Sequence, residues 1–156
     1  MKQAMSLFQN LQNVRLKPDE ATYRSMMEGC GKTGKLKEAL WYYNEMKTNG
    51  FHPSSLNLKT IINLLAKFND EDGDVRILSD MIDQGYEYAS IIQILVQAYE
   101  RADRLNKVSS ILKASLHERG KLDETASAIL VLAYAQNNML AEALDFLQEI
   151  PGLNTP

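Results

Sequence analysis

Lys32, Lys67 and Arg101 recur at intervals of 35 and 34 residues. Cations set one structural repeat apart on a common face have the spacing to follow a phosphate backbone. Gln136 breaks the series in the next register. Other reactive residue types give weaker patterns. Asp70, Asp72 and Asp74 resemble the opening of a calcium loop, but Val75 and Met81 stand where such a loop needs Gly and Glu. The acidic run therefore reads as a solvated turn. Cys30 falls on an apolar stripe with Tyr23, Met26 and Met27, as a core cysteine does. His52 and His117 have no nucleophile in a recognisable motif, so no catalytic role is expected. One Cys and two His leave no complete Cys/His zinc site, and no metal or cofactor is expected.

The elements that carry these residues repeat with the same period. Gly50, Gly85 and Gly120 are each 35 apart, as are Pro18 and Pro53, and Ala98-Tyr99 and Ala133-Tyr134. A period near 35 marks a stacked supersecondary unit. Tyr23, Met26, Met27 and Cys30 lie at helical steps of 0, 3, 4 and 7. Leu58, Ile61, Ile62 and Leu65 repeat those steps, as do Ile92, Leu95, Val96 and Tyr99. Leu130, Val131 and Tyr134 continue them. A second stripe follows in each unit: Leu36, Ala39, Leu40, Tyr43 and Met46 in the first, and Leu140, Ala143, Leu144, Leu147 and Ile150 in the last. The second unit diverges most, with a turn expected over 69–74 and a helix over 75–82. Gly34 and Asn138 suit the left-handed geometry that closes a helix.

No segment shows useful strand alternation. The fold class expected is all-α, a solenoid of helical hairpins. Residues 1–19 form the second helix of an incomplete leading repeat. Repeats follow at 20–54, 55–88 and 89–123, and a truncated fourth with a coil tail covers 124–156. A chain that begins in mid-unit reads as a fragment of a longer protein. Trp41 falls beside the stripe of its helix and, with Tyr42, forms a candidate protein-contact patch. The longest near-apolar run, Ala126–Ala135, is too short for a membrane-spanning helix.

Glu20-Ala21-Thr22-Tyr23, Gly31-Lys32-Thr33-Gly34-Lys35-Leu36 and Asn49-Gly50-Phe51-His52-Pro53 together resemble a pentatricopeptide repeat. Leu140-Ala141-Glu142-Ala143-Leu144 resembles it next best. The resemblance implies a right-handed superhelix, single-stranded RNA as partner, and a plastid or mitochondrial setting. It implies one base read per repeat by two or three side chains. The implied base-reading residues are Arg24 with Ser54, Lys59 with Tyr88, Gln93 with Asp123, and Ala128 without a partner in the chain. The implied phosphate contacts are Lys32, Lys67 and Arg101. The family's informative pairs combine Asn, Thr or Ser with Asp or Asn, and none of these pairs does so. Weak intrinsic sequence specificity follows. Of the base-clamping places, Ala21, Leu56, Ser90 and Thr125, only Leu56 is the usual large aliphatic residue.

The formal net charge of −3 conceals an asymmetry. Residues 1–67 carry ten basic and five acidic side chains, and residues 68–156 carry seven and fifteen. RNA contact is expected on the basic front, around Lys17, Arg24, Lys32, Lys59 and Lys67. The function expected is a non-catalytic RNA-binding repeat protein of organellar RNA processing or stability. The alternative is a protein-interaction scaffold that binds no RNA, with possible self-association through the repeat ends.

Overall fold

The computed structural model describes residues 2–13, 18–116 and 124–149. These form nine α-helices and one short 3-10 turn, without strands among the described residues. They are α1 (Lys2–Asn13), α2 (Glu20–Thr33), α3 (Leu36–Thr48), α4 (Ser55–Phe68) and α5 (Glu71–Asp83), followed by α6 (Tyr88–Arg101). The 3-10 turn Leu105–Lys107 leads into α7 (Val108–Leu116), and α8 (Glu124–Gln136) and α9 (Leu140–Glu149) follow. The chain divides into two compact units, Met1–Phe68 and Asn69–Pro156. α4 therefore belongs to the first unit and α5 opens the second.

Local signals explain the helix limits. Asp19 adopts an extended backbone, and its carboxylate accepts from the Thr22 amide at 2.8 Å and the Thr22 hydroxyl at 2.7 Å. This satisfies a donor that the first turn of α2 leaves unpaired, and the two bonds hold the Asp19 carboxyl below its ordinary pKa. Gly34 takes φ +69°, and the Lys35 amide reaches back to the Cys30 carbonyl at 2.9 Å. Asn69, Asp103 and Asn138 close α4, α6 and α8 with positive φ, a geometry short polar side chains tolerate better than most.

In the first unit, the stripes of α2 and α4 face inward. Leu58, Ile61, Ile62 and Leu65 are all buried, as are Tyr23, Met27 and Cys30. α1 is held by its aromatic residue. The Phe8 ring meets Tyr23 at 5.3 Å and Tyr42 at 5.1 Å between centroids, both edge to face. Such pairs add roughly 0.5–1.5 kcal/mol beyond burial. Asn49 donates to the Tyr23 hydroxyl at 3.0 Å, tying the end of α3 to the start of α2. In the second unit, Ile92, Leu95, Val96 and Tyr99 of α6 are buried, as are Leu130 and Tyr134 of α8.

Three expectations change. Helix α5 starts at Glu71, four residues before the expected Val75, because Asp70 caps it by accepting from the Gly73 amide at 3.0 Å. Glu71, Asp72 and Asp74 then sit in its first turn, where negative charge complements the helix dipole. Tyr42, expected beside Trp41 on an outer patch, is fully buried. The cause is α1, whose Phe8 covers that side of α3. In α9 the buried residues are Ala143 and Phe146, while Leu140 and Leu144 are exposed. No helix among the described residues covers that face. Ile150 lies outside the described residues.

Candidate nucleic-acid interface

The first helices of the basic unit, α2 and α4, lie side by side and bound an open cleft of about 450 Å³. Gly31 sets their separation. A Cβ on Gly31 would fall 2.6 Å from Thr60 Cγ2, so only a residue without one fits this approach. The polar lining is Glu28, Lys32, Thr60, Asn63 and Lys67, and Leu56 contributes an apolar wall. Leu56 remains 56% exposed, an uncovered aliphatic surface beside two cations.

Lys32 and Lys67 each occupy the last turn of their helix. A cation there is favoured by the negative end of the helix dipole, so part of its role is structural. Lys67 reaches toward the end of α2: its Nζ lies 3.5 Å from where a Cβ on Gly34 would stand. It also lies 5.8 Å from the Phe68 ring centroid. Arg101, the last residue of α6, is exposed at the matching place in the second unit. The structure thus places Lys32 and Lys67 in one cleft, while Arg101 belongs to the other unit.

The expected base-reading residues fare differently. Arg24 is exposed and paired with Glu20 one helical turn away at 2.5 Å. Ser54 caps α4: its Oγ donates to Asn57 Oδ1 at 3.0 Å and accepts from the Asn57 amide at 3.2 Å. Lys59 is exposed on α4 but is absent from the cleft lining. Tyr88 is half-buried at the start of α6, and Gln93 and Ala128 are exposed on α6 and α8. Asp123 and Lys17 lie outside the described residues. Sequence reasoning missed the lining residues Thr60 and Leu64, and also Glu28 and Asn63. Glu28 and Asn63 each stand four residues before a lysine of the series and four after an expected reader, and that spacing was the available signal.

Trp41 is 37% exposed and rests edge to face on Phe8, 5.5 Å away, and on Tyr42, 5.1 Å away. Cys30 is fully buried; burial pushes its thiol up to about 11, with Glu38 adding to the rise. It is a thiol at neutral pH. Among the described residues no cluster of three or more His, Cys, Asp or Glu is placed to hold a metal ion. No helix of the described residues is long and apolar enough to cross a membrane.

The second unit contains a buried acid. Asp74 of α5 is 0% exposed and accepts a short hydrogen bond from the Tyr99 hydroxyl of α6. Its other oxygen, Oδ1, has no partner among the described residues. Burial, with lesser contributions from Asp70 and Glu71, raises its pKa to about 7 against the lowering effect of the Tyr99 bond. Desolvation and the adjoining carboxyl push the Tyr99 phenol well above its ordinary value.

Paired amphipathic helices, each pair too small to bury its stripes alone, define a helical-repeat protein. The family model described as "PPR repeat" matches residues 21–51 and 129–154. A chloroplastic pentatricopeptide repeat-containing protein of Arabidopsis thaliana is 42% identical over 96 residues, which cover 62% of this chain and 11% of the relative. The human mitochondrial pentatricopeptide repeat-containing protein 1 is 37% identical over 67 residues, covering 42% of this chain and 10% of the relative. A crystal structure of the maize pentatricopeptide repeat protein PPR10 aligns over 93% of this chain and 21% of its own, with a TM-score of 0.59 and 19% identity. The chain thus carries pentatricopeptide repeats at 21–51 and 129–154. It spans about a tenth of the length of these two curated relatives.

Proposed function

We propose that the chain is a non-catalytic segment that binds single-stranded RNA in an organelle, contributing to RNA processing or stability. The observation that carries this reading is the α2–α4 cleft, which brings Lys32 and Lys67 together beside the exposed Leu56. Lysines attract phosphate, and an uncovered side-chain surface accepts a base face. The reading takes the four repeats at 20–54, 55–88, 89–123 and 124–156, with Arg101 as a third cation. Weak intrinsic sequence specificity fits the engagement of Arg24 by Glu20 and of Ser54 by Asn57. The organellar setting draws on the chloroplastic and mitochondrial relatives.

The test is a salt titration of binding to fluorescein-labelled single-stranded RNA. Each phosphate neutralised contributes about 0.7 to the slope of log affinity against log salt. The Lys32→Ala/Lys67→Ala/Arg101→Ala variant is expected to weaken binding and flatten that slope by about 2. Absence of binding by the parent at low salt overturns the reading.

A protein-scaffold reading is favoured by one observation, the exposed Leu132, Leu140 and Leu144 of the last helical pair. Together with Trp41 they are candidate partner contacts. Partner capture that is lost on Leu140→Ser/Leu144→Ser or Trp41→Ala, with helicity retained, would support it. An unchanged partner set would count against these patches.

A further inference from the structure

Three polar residues of the cleft, Glu28, Thr60 and Asn63, are not explained by the family's reading positions, and Thr60 already donates its hydroxyl to the Leu56 carbonyl at 3.0 Å, which leaves Glu28 and Asn63. They hold the same place in neighbouring repeats, the ninth residue of 20–54 and of 55–88. Each lies one helical turn from the lysine of its own helix. Both line the cleft together with Lys32, Lys67 and Leu56. The side chains expected to read bases are otherwise disposed: Arg24 is paired with Glu20, Ser54 caps α4, and Lys59 is not in the lining.

We infer that this cleft receives one nucleotide of single-stranded RNA and prefers guanine, with Glu28 and Asn63 reading the base edge. The inference rests on the RNA-binding reading and adds a base preference to it. An ionised carboxylate is an acceptor only, with two oxygens side by side. It matches a base edge that presents two adjacent N–H donors. Guanine has one, N1–H beside the N2 amino group. Adenine and cytosine each set an acceptor nitrogen next to their amino donor, and uracil has a single N–H between two carbonyls. A carboxylate therefore gains a bidentate charge-assisted pair with guanine alone. The Asn63 amide supplies the donor that guanine O6 or N7 requires. Leu56 offers a surface to the base face, and Lys32 and Lys67 attract the flanking phosphates. Glu28 would otherwise be a liability in a cleft for a polyanion, and a base-reading role accounts for its position there.

Four fluorescein-labelled twelve-nucleotide RNAs test this: oligouridine, and oligouridine with one central G, A or C. The full chain is expected to bind the G-containing RNA about tenfold more tightly than oligouridine, as a single bidentate base contact provides. Glu28→Gln retains size and removes the charge. It should abolish the G preference, bringing the affinities for the G-containing RNA and oligouridine together, and should raise oligouridine affinity because a negative charge has left the cleft. Asn63→Ala should reduce the preference, and Arg24→Ala should not. A G preference that survives Glu28→Gln, or equal affinity of the parent for all four RNAs, overturns the inference and leaves RNA binding intact. Failure of every RNA to bind at low salt overturns the RNA-binding reading itself.

Discussion

The two units pair their helices similarly but differ in what they bury and what they display. In the first, α2 packs against α4 and leaves a cleft lined by two lysines, with Leu56 at its wall. In the second, α6 packs against α8, yet the corresponding places hold Arg101, Gln136, Ser90 and Thr125. The interiors differ too. The second-helix place occupied by Ala39, Val108 and Ala143 is occupied in α5 by Asp74, and all four residues are buried. One unit is closed by aromatic contacts around Phe8, and the other holds a carboxyl inside. A repeat demands only that each helix bury its stripe. The faces outside the stripe are left to vary, and so is the occasional interior position.

The largest expected effect concerns the aromatic closure of the first unit. Tyr42→Ala removes a fully buried ring that meets both Phe8 and Trp41. A loss of about 3–5 kcal/mol is expected. Trp41 is the only tryptophan, so its fluorescence in urea reports this unit directly. If the Trp41 transition does not move, α1 is not held through this cluster.

The interior of the second unit gives the next effect, with the opposite sign. Asp74 has a folded pKa of about 7 against an ordinary value of 3.8. A raised carboxyl pKa means that the folded state favours the proton. The stabilisation is complete below about pH 4, falls as pH rises toward 7, and is gone above it. Asp74→Ala/Tyr99→Phe removes the acid and its donor together and introduces the alanine that two of the three matching places hold, at Ala39 and Ala143. At pH 8 the double variant is expected to be more stable by about 1–4 kcal/mol. Hydrogen exchange of α5 and α6 at pH 5 and pH 8 reads it. An equal pH response in parent and variant would place the titrating group elsewhere.

Gly31→Ala tests the cleft itself. The new methyl meets Thr60 Cγ2 at 2.6 Å, so α2 and α4 must part or Thr60 must turn. Overpacking of this kind costs about 1–3 kcal/mol. The companion change Thr60→Ser, which removes that methyl, should recover most of the loss. Failure of the rescue would locate the strain away from this contact.

Much of this arrangement was legible in the residues. Leu58, Ile61, Ile62 and Leu65, and Ile92, Leu95, Val96 and Tyr99, are buried as their spacing predicts. Gly34 and Asn138 take the left-handed turns expected of them. Other features were set by tertiary contact. Tyr42 lies beside its helix's stripe, and only the arrival of Phe8 from α1 makes its side an interior. Asp74 sits in an acidic run that reads as solvent-facing, and its burial depends on Tyr99, 25 residues later. In the candidate site, Lys32 and Lys67 announced themselves by period. Glu28 and Asn63 are unremarkable polar residues until two helices bring them to one cleft.

The smallest expected effect separates capping from reading, and again sets one unit against the other. Helix α4 is opened by Ser54 and Asn57, which exchange hydrogen bonds in the manner of a capping box. Helix α6 is opened by Glu87, whose extended backbone suits a cap but whose side chain makes no cap bond. Ser54→Ala should therefore cost about 1 kcal/mol, and Glu87→Ser should recover a similar amount in the other unit. Both are read as shifts in the urea midpoint at constant slope. If Ser54 serves only the helix, its loss lowers stability without altering discrimination among the four RNAs. A change in base preference at unchanged stability would instead return Ser54 to the reading face.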